Sequence, residues 1–175
     1  EVRPVVLLLL LLVKSNRIND ALEISKLFNI CLLVVSRKNV LADSMHIFEK
    51  YVNKIEKIKV YFKGEPGIDL NGLTKEWFTI VSNELSNSDV FIKNPNRTSL
   101  TFNPNANKNS YIYTFTGQLL AAALNYKKNV NIKLGSYIWK VLSNEKITLD
   151  DMKEYDEEIY QSLKWIYENN STELN

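Results

Sequence analysis

The stretch GEPGIDLNGLTKEWF, residues 64–78, constrains this chain more than any other. Only five glycines occur in 175 residues, and three of them, Gly64, Gly67 and Gly72, crowd into this one segment. Ahead of them, IKVYF (58–62) alternates and is rich in β-branched and aromatic residues, which predicts a strand. Behind them, LTKEWFTIVSNELS returns to helical spacing through Trp77, Phe78, Val81 and Leu85. Glycine costs backbone entropy and is kept where the chain needs a positive φ or a close approach. The cluster therefore reads as a strand exit, a turn and a helix entry. Its spacing excludes a phosphate-binding loop: no Lys-Ser/Thr pair follows the last glycine, and Gly64-x-x-Gly67-x-x-x-x-Gly72 is not the dinucleotide fingerprint.

The remaining text is mostly helical. Residues 18–35, INDALEISKLFNICLLVV, read as a helix running into an apolar segment. An amphipathic helix follows, with Val40, Leu41, Met45, Phe48, Val52 and Ile55 on one face. Residues 90–105 hold two short extended runs between Asn-Pro-Asn turns, a small hairpin or a pair of turns. The segment 110–128 is the most apolar helix and is expected at the centre, with Gly117, Ala121, Ala122 and Ala123 letting a neighbour approach. After the short helix SYIWKVLSNE, TLDD has the form of a capping box with Thr148 as cap and Asp151 at the third helical position. The last helix, DEEIYQSLKWIYENN, starts with acids at its positive dipole end. The fold class is mainly α (α+β), with a few short strands and enough chain for one substantial core.

Composition narrows function by exclusion. With 22 Lys and Arg against 20 Asp and Glu, the chain lacks the global basic field of a nucleic-acid binder. Five lysines between Lys50 and Lys63 read as a solvated face, while 150–175 is an acidic block of eight acids against two lysines. The run PVVLLLLLLV (4–13) rises about 15 Å as a helix, half of what a membrane span needs, and reads as a buried helix. A chain that begins with Glu rather than Met reads as a piece of a longer protein. Cys31, the only cysteine, lies in apolar FNICLLVV without a neighbouring base, so it reads as inert and fits a reducing compartment, cytoplasmic or nuclear. His46 is the only histidine. No metal site, cofactor or catalytic group is expected from these residues.

The order of motifs is more informative than any one of them. RKNVLADS (37–44), VYFKGEPGIDLNGLTKEWF (60–78), FNPN (102–105), FTGQLLAAAL (115–124), ITLDDM (147–152) and YQSLKWIYEN (160–169) together resemble the start of the HECT domain of ubiquitin ligases, over roughly residues 25–175. SLKWIYENNSTELN looks like the Nedd4-type branch. In the family pattern the opening stretch carries a glycine where Asn71 stands here, and asparagine tolerates positive φ.

The resemblance implies a helical N-lobe with a few short strands, an upstream apolar segment at 1–25 and a partial N-lobe over 26–175. The structural motif comprises Gly64, Glu65, Gly67, Asp69, Gly72, Thr74 and Glu76. The family passes ubiquitin from a charged ubiquitin-conjugating enzyme (E2) to a cysteine in a C-lobe that this sequence does not include, so the chain alone is expected to be inactive. The partners implied are the E2, and ubiquitin through that C-lobe; no nucleic acid or membrane span is implied. The E2 groove is carried over to Ile159, Leu163 and Ile166, at i, i+4, i+7, with Asn169 beside them. From periodicity alone the same stripe can instead pack on the core, with Tyr160 and Tyr167 as the competing stripe. A second, non-covalent ubiquitin site is implied near Asn103 and Tyr111-Ile112, which the text NKNSYIY matches poorly. The alternative reading is a non-catalytic interaction module that keeps the lobe fold.

Overall fold

The run ICLLVV is apolar at every position, and such a run cannot be told from a buried helix by its period. In the computed structural model of the chain, which describes residues 3–51, 57–66, 72–94, 98–107 and 111–169, it is a strand. The chain divides into two compact units, 1–85 with 109–131 and 86–108 with 132–175.

In the first unit, β1 (Ile30–Val35) pairs in parallel with β2 (Lys57–Phe62), from Ile30 opposite Lys57 to Val35 opposite Phe62. A parallel pair needs a crossover, and α3 (Val40–Tyr51) lies in it, entered through a short 3-10 turn at Arg37–Asn39. The expected helix beyond Tyr51 falls outside the described residues until β2 begins. Parallel strands are stable when both faces are covered, and both are. Ile30, Leu32, Val34 and Tyr61 form one cluster with Leu9, Leu10 and Val13 of α1 (Arg3–Lys14) and Ala21 and Leu22 of α2 (Ile18–Leu27). The alternate residues Leu33, Val35, Ile58, Val60 and Phe62 are buried as well.

The second core of this unit is aromatic. Phe48 of α3 lies edge-on to Phe115 of α5 (Ile112–Tyr126) at 5.1 Å, and stacks on Trp77 of α4 (Gly72–Ser86) at 6.0 Å. The Trp77 indole N–H donates to Ser44 Oγ at 2.9 Å, so the only polar atom of this ring is satisfied. Tyr126 accepts the Ile58 backbone N–H, taking the place of a third strand beside β2. Two expectations change here. The Leu-rich helix buries one face only: Leu7, Leu8 and Leu11 are exposed. On α5, Ala122 and Ala123 are buried, but Gly117 and Ala121 face outward and the space beside Gly117 is open, so no neighbour approaches there.

The residues flanking the glycine-rich segment are tied by one that the sequence alone does not single out. The Arg37 guanidinium donates to both oxygens of Glu65, with Nη2 at 3.0 Å, and through Nη1 to Glu76 Oε1 at 2.7 Å. It also lies over the Phe62 ring, 4.2 Å from the centroid. One side chain thus ties the exit of β1, the exit of β2 and the first turns of α4. Gly64 sits at φ +84, where a side chain is strained; Thr74 is buried, and Gly72 opens α4 with space around it. Gly67 and Asp69, like Asn71, lie outside the described residues.

In the second unit, β3 (Phe91–Lys93) and β4 (Leu100–Phe102) form the expected antiparallel hairpin, with Phe91 stacked on its partner Phe102. The second Asn-Pro-Asn is an Asx turn: Asn103 Oδ1 accepts the Asn105 N–H at 3.0 Å. Leu100 then holds the returning chain, donating to Lys133 O at 2.6 Å and accepting from Gly135 N at 3.0 Å. The helices α6 (Ser136–Leu142), α7 (Leu149–Tyr155) and α8 (Glu157–Glu168) follow.

Two stability measurements check this arrangement. Gly64→Ala is expected to cost about 1 kcal/mol in chemical denaturation, because alanine must adopt positive φ; no loss would mean that the turn is not held as described. Glu65 is kept below the ordinary carboxylate range, first by its hydrogen bonds from Arg37. Its contribution is therefore present above pH about 4.3 and is lost as pH falls through the lowered folded value. Glu65→Gln should lower Tm at pH 7 and flatten its fall below pH 5. An unchanged acid limb would contradict the assignment.

Candidate functional site

The end of the second unit is built from capped helices laid in succession. Glu154 reaches back from α7 to the start of α6, accepting from Ser136 N at 2.9 Å and from its hydroxyl. Thr148 and Asp151 close the expected capping box on α7, where Thr148 N donates to Asp151 Oδ2 at 2.8 Å. Asp151 also accepts from Lys140 Nζ of α6 at 2.6 Å, and its side chain is only 7% exposed. That hydrogen bond first, and Thr148 second, hold its carboxyl below the usual range, while the same contact raises Lys140. One carboxylate thus serves as helix cap and as tie between α6 and α7.

The chain turns into α8 at Asp156, whose side chain accepts from the backbone N–H groups of Glu158 at 3.0 Å and Ile159 at 3.1 Å. Along α8 one residue is buried, Tyr160, and its hydroxyl donates to Asp150 Oδ1 of α7 at 3.2 Å. This decides which stripe packs. Ile159, Leu163 and Ile166, 39–52% exposed, line an open apolar face. Tyr167, the other member of the competing stripe, is 81% exposed, so that stripe is anchored by its first residue alone. Trp165 is exposed too, outside the three-residue stripe. Asn169 is half-buried and closes the helix, donating from N and Nδ2 to Trp165 O at 2.9 and 3.0 Å.

Nothing in this surface is nucleophilic. Cys31 is on β1 in the first unit, where desolvation pushes its thiol up to about 12, far from a thiolate at neutral pH. His46 is exposed on α3. In the first unit Glu65 and Glu76 meet at Arg37, Gly64 precedes Glu65 at positive φ, and Thr74 is buried in α4. The tie that Arg37 provides, and the selection of Tyr160 as anchor, were not found from sequence; RKNVLADS carried the arginine without a sign of its partners, which stand 28 and 39 residues away.

The sequence profile of the HECT domain (ubiquitin-transferase) matches residues 78–175, more than half of the chain and all of α5 to α8. The chain belongs to the HECT-domain family. It is 29% identical over 152 residues to the E3 ubiquitin-protein ligase TOM1 of Saccharomyces cerevisiae, covering 81% of this chain and 5% of that one. To the E3 ubiquitin-protein ligase HACE1 of Mus musculus it is 32% identical over 152 residues, covering 82% and 16%. The Danio rerio HACE1 is 31% identical over 151 residues, with the same coverage. The chain thus spans a small part of the length of these HECT relatives. Among the described residues, no helix is long and apolar enough to cross a membrane.

The exposure pattern on α8 gives a direct test within this HECT chain. Leu163→Asp should change stability by no more than about 0.5 kcal/mol, as for other surface positions. Tyr160→Ala should cost about 3 kcal/mol, as for a buried aromatic. Chemical denaturation of the two variants checks this; the reverse order would mean that the stripe is core.

Proposed function

We propose that this chain contributes the N-lobe scaffold of a HECT-type E3 ubiquitin ligase, and that Ile159, Leu163 and Ile166 receive the E2. The observation that carries the reading is the division of labour on α8, where Tyr160 alone anchors the helix and leaves the aliphatic stripe open. Three aliphatic side chains on consecutive turns offer an apolar strip suited to a protruding hydrophobic side chain of a partner. Asn169, engaged in closing the helix, sits at the rim of this strip. Cys31, buried on β1 with its thiol pushed up to about 12, is ill suited to accept ubiquitin, and we assign the transferring cysteine of the whole protein to a C-lobe. We read 1–25 as an upstream segment and 26–175 as part of the N-lobe. Gly64, Glu65, Gly67, Asp69, Gly72, Thr74 and Glu76 are assigned to shaping the strand-to-helix junction of that lobe. A cytoplasmic or nuclear setting fits the single, unpaired cysteine.

At branch level the reading is HECT and no finer. SLKWIYENN has a Nedd4-type flavour, but the relatives found carry the names TOM1 and HACE1, which belong to other branches, and the Nedd4-type assignment is not supported.

The test is a binding titration of the 175-residue chain with a panel of E2 enzymes, followed by fluorescence anisotropy of a labelled E2. Binding by at least one E2, weakened at least tenfold by Leu163→Asp without loss of fold, is the expected result. Undiminished binding by the variant would remove the stripe from the interface. Absence of binding across the panel by folded chain would remove the E2-docking function.

A further inference from the structure

The cleft that matters here lies outside the segment matched by the HECT profile and uses none of the α8 residues. It is formed in the first unit where the end of α1 meets the exit of β2, has a volume of about 330 Å³, and is lined by Val13, Lys14, Asn16, Ile18, Val34, Tyr61, Lys63 and Gly64. Its floor is apolar, with Val13 and Val34 buried. Its polar lining is rich in donors: two ammonium groups, the Asn16 amide and the Tyr61 hydroxyl, with no carboxylate among the lining residues.

Three details bear on what this cleft can hold. Tyr61 is only 8% exposed, yet its hydroxyl has no hydrogen-bond partner among the described residues. Among the described residues no fully buried side-chain oxygen lacks a partner, so this hydroxyl is open to the cleft and free to donate to an acceptor from outside. The carbonyls at the end of α1 do not compete for the donors, because the backbone already satisfies them: Arg17 N bonds Leu12 O at 2.8 Å, Asn16 N bonds Val13 O at 3.0 Å and Ser15 N bonds Leu11 O at 2.9 Å. That closure requires Asn16 at φ 58, and the opposite wall requires Gly64 at φ 84. Among the described residues, the acid in contact with the cleft's cations is Asp43, at a loose 3.5 Å from Lys63.

We propose that this cleft binds a phosphate monoester with an apolar body. Lys14, and Lys63 which it would share with Asp43, attract an anion, and the hydroxyl and amide add donors for a group that carries three acceptor oxygens. A carboxylate, with two acceptor oxygens, leaves more of these donors unmatched. The apolar floor takes the ester's body, which free phosphate lacks.

The test titrates the full 175-residue chain with phenyl phosphate, inorganic phosphate, benzoate and benzyl alcohol, read by amide chemical shifts and calorimetry. Phenyl phosphate is expected to bind at least about tenfold more tightly than each of the others, with the shifts centred on residues 13–18 and 61–64 and weakened by added salt. Tyr61→Phe keeps the ring in the core, and Lys14→Met keeps the length of the side chain. Each should weaken phenyl phosphate about tenfold with Tm unchanged, as expected for one charge-assisted hydrogen bond or one ammonium lost. No binding of phenyl phosphate up to about 10 mM, equal binding of benzyl alcohol or of inorganic phosphate, or unchanged affinity in both variants would each overturn the proposal. None of these results depends on whether α8 binds an E2.

Discussion

A parallel pair of strands cannot stand alone, and the first unit is organised by that constraint. Two strands offer six paired positions and two faces, and each face needs a layer of its own. The helices α1 and α2 supply one layer; the residues of the other face are buried too, and α3, which packs on β1, carries Phe48 into the aromatic group with Trp77 and Phe115. This explains the leucine run at the start of the sequence, whose inner face closes over Ile30, Leu32, Val34 and Tyr61. It also explains why Tyr126 of α5 reaches to the backbone of β2, where a wider sheet would have placed another strand.

The junction after the strands depends on Arg37. Its five donors and flat shape suit a pair of carboxylates on different elements better than an ammonium could. Glu65 follows the positive-φ turn at Gly64, and Glu76 is in the first turns of α4, so the exit of β2 and the start of α4 are tied through one side chain from outside the segment. The pair is exposed to solvent, so its role is to set geometry more than to add stability.

Elements with a clear period were legible in the sequence: α3, β2, α4, the hairpin, the capped α7 and α8 all lie where pattern and turn chemistry put them. What was not legible depended on contacts across the chain. ICLLVV has no alternation because both of its faces are buried, so only the second strand reveals it as β. Gly117 looked like a point of close approach, but a glycine on an exposed helix face has the same letter as one in a tight crossing. On α8 two stripes competed, at one residue's offset, and the choice of Tyr160 as anchor rests on Asp150 in the preceding helix. The motif order that marks the HECT family was legible throughout, because it is a property of sequence and not of packing. The cleft at Tyr61 had no such signal: its residues come from four separate elements and the turns beside them.

The α8 face is the feature on which the functional account stands. Its acidic start is explained by the Asp156 cap and the helix dipole, and its single buried residue by the bond to α7, which leaves the aliphatic stripe without a structural task inside its unit. The most direct measurement is methyl NMR of the chain labelled at isoleucine and leucine, with unlabelled E2 added. The account predicts that Ile159, Leu163 and Ile166 shift together and saturate with one affinity, while Leu9, Leu33 and Leu119 in the first unit stay in place. Shifts confined to the first unit, with the α8 methyls unmoved by an E2 that binds, would contradict it.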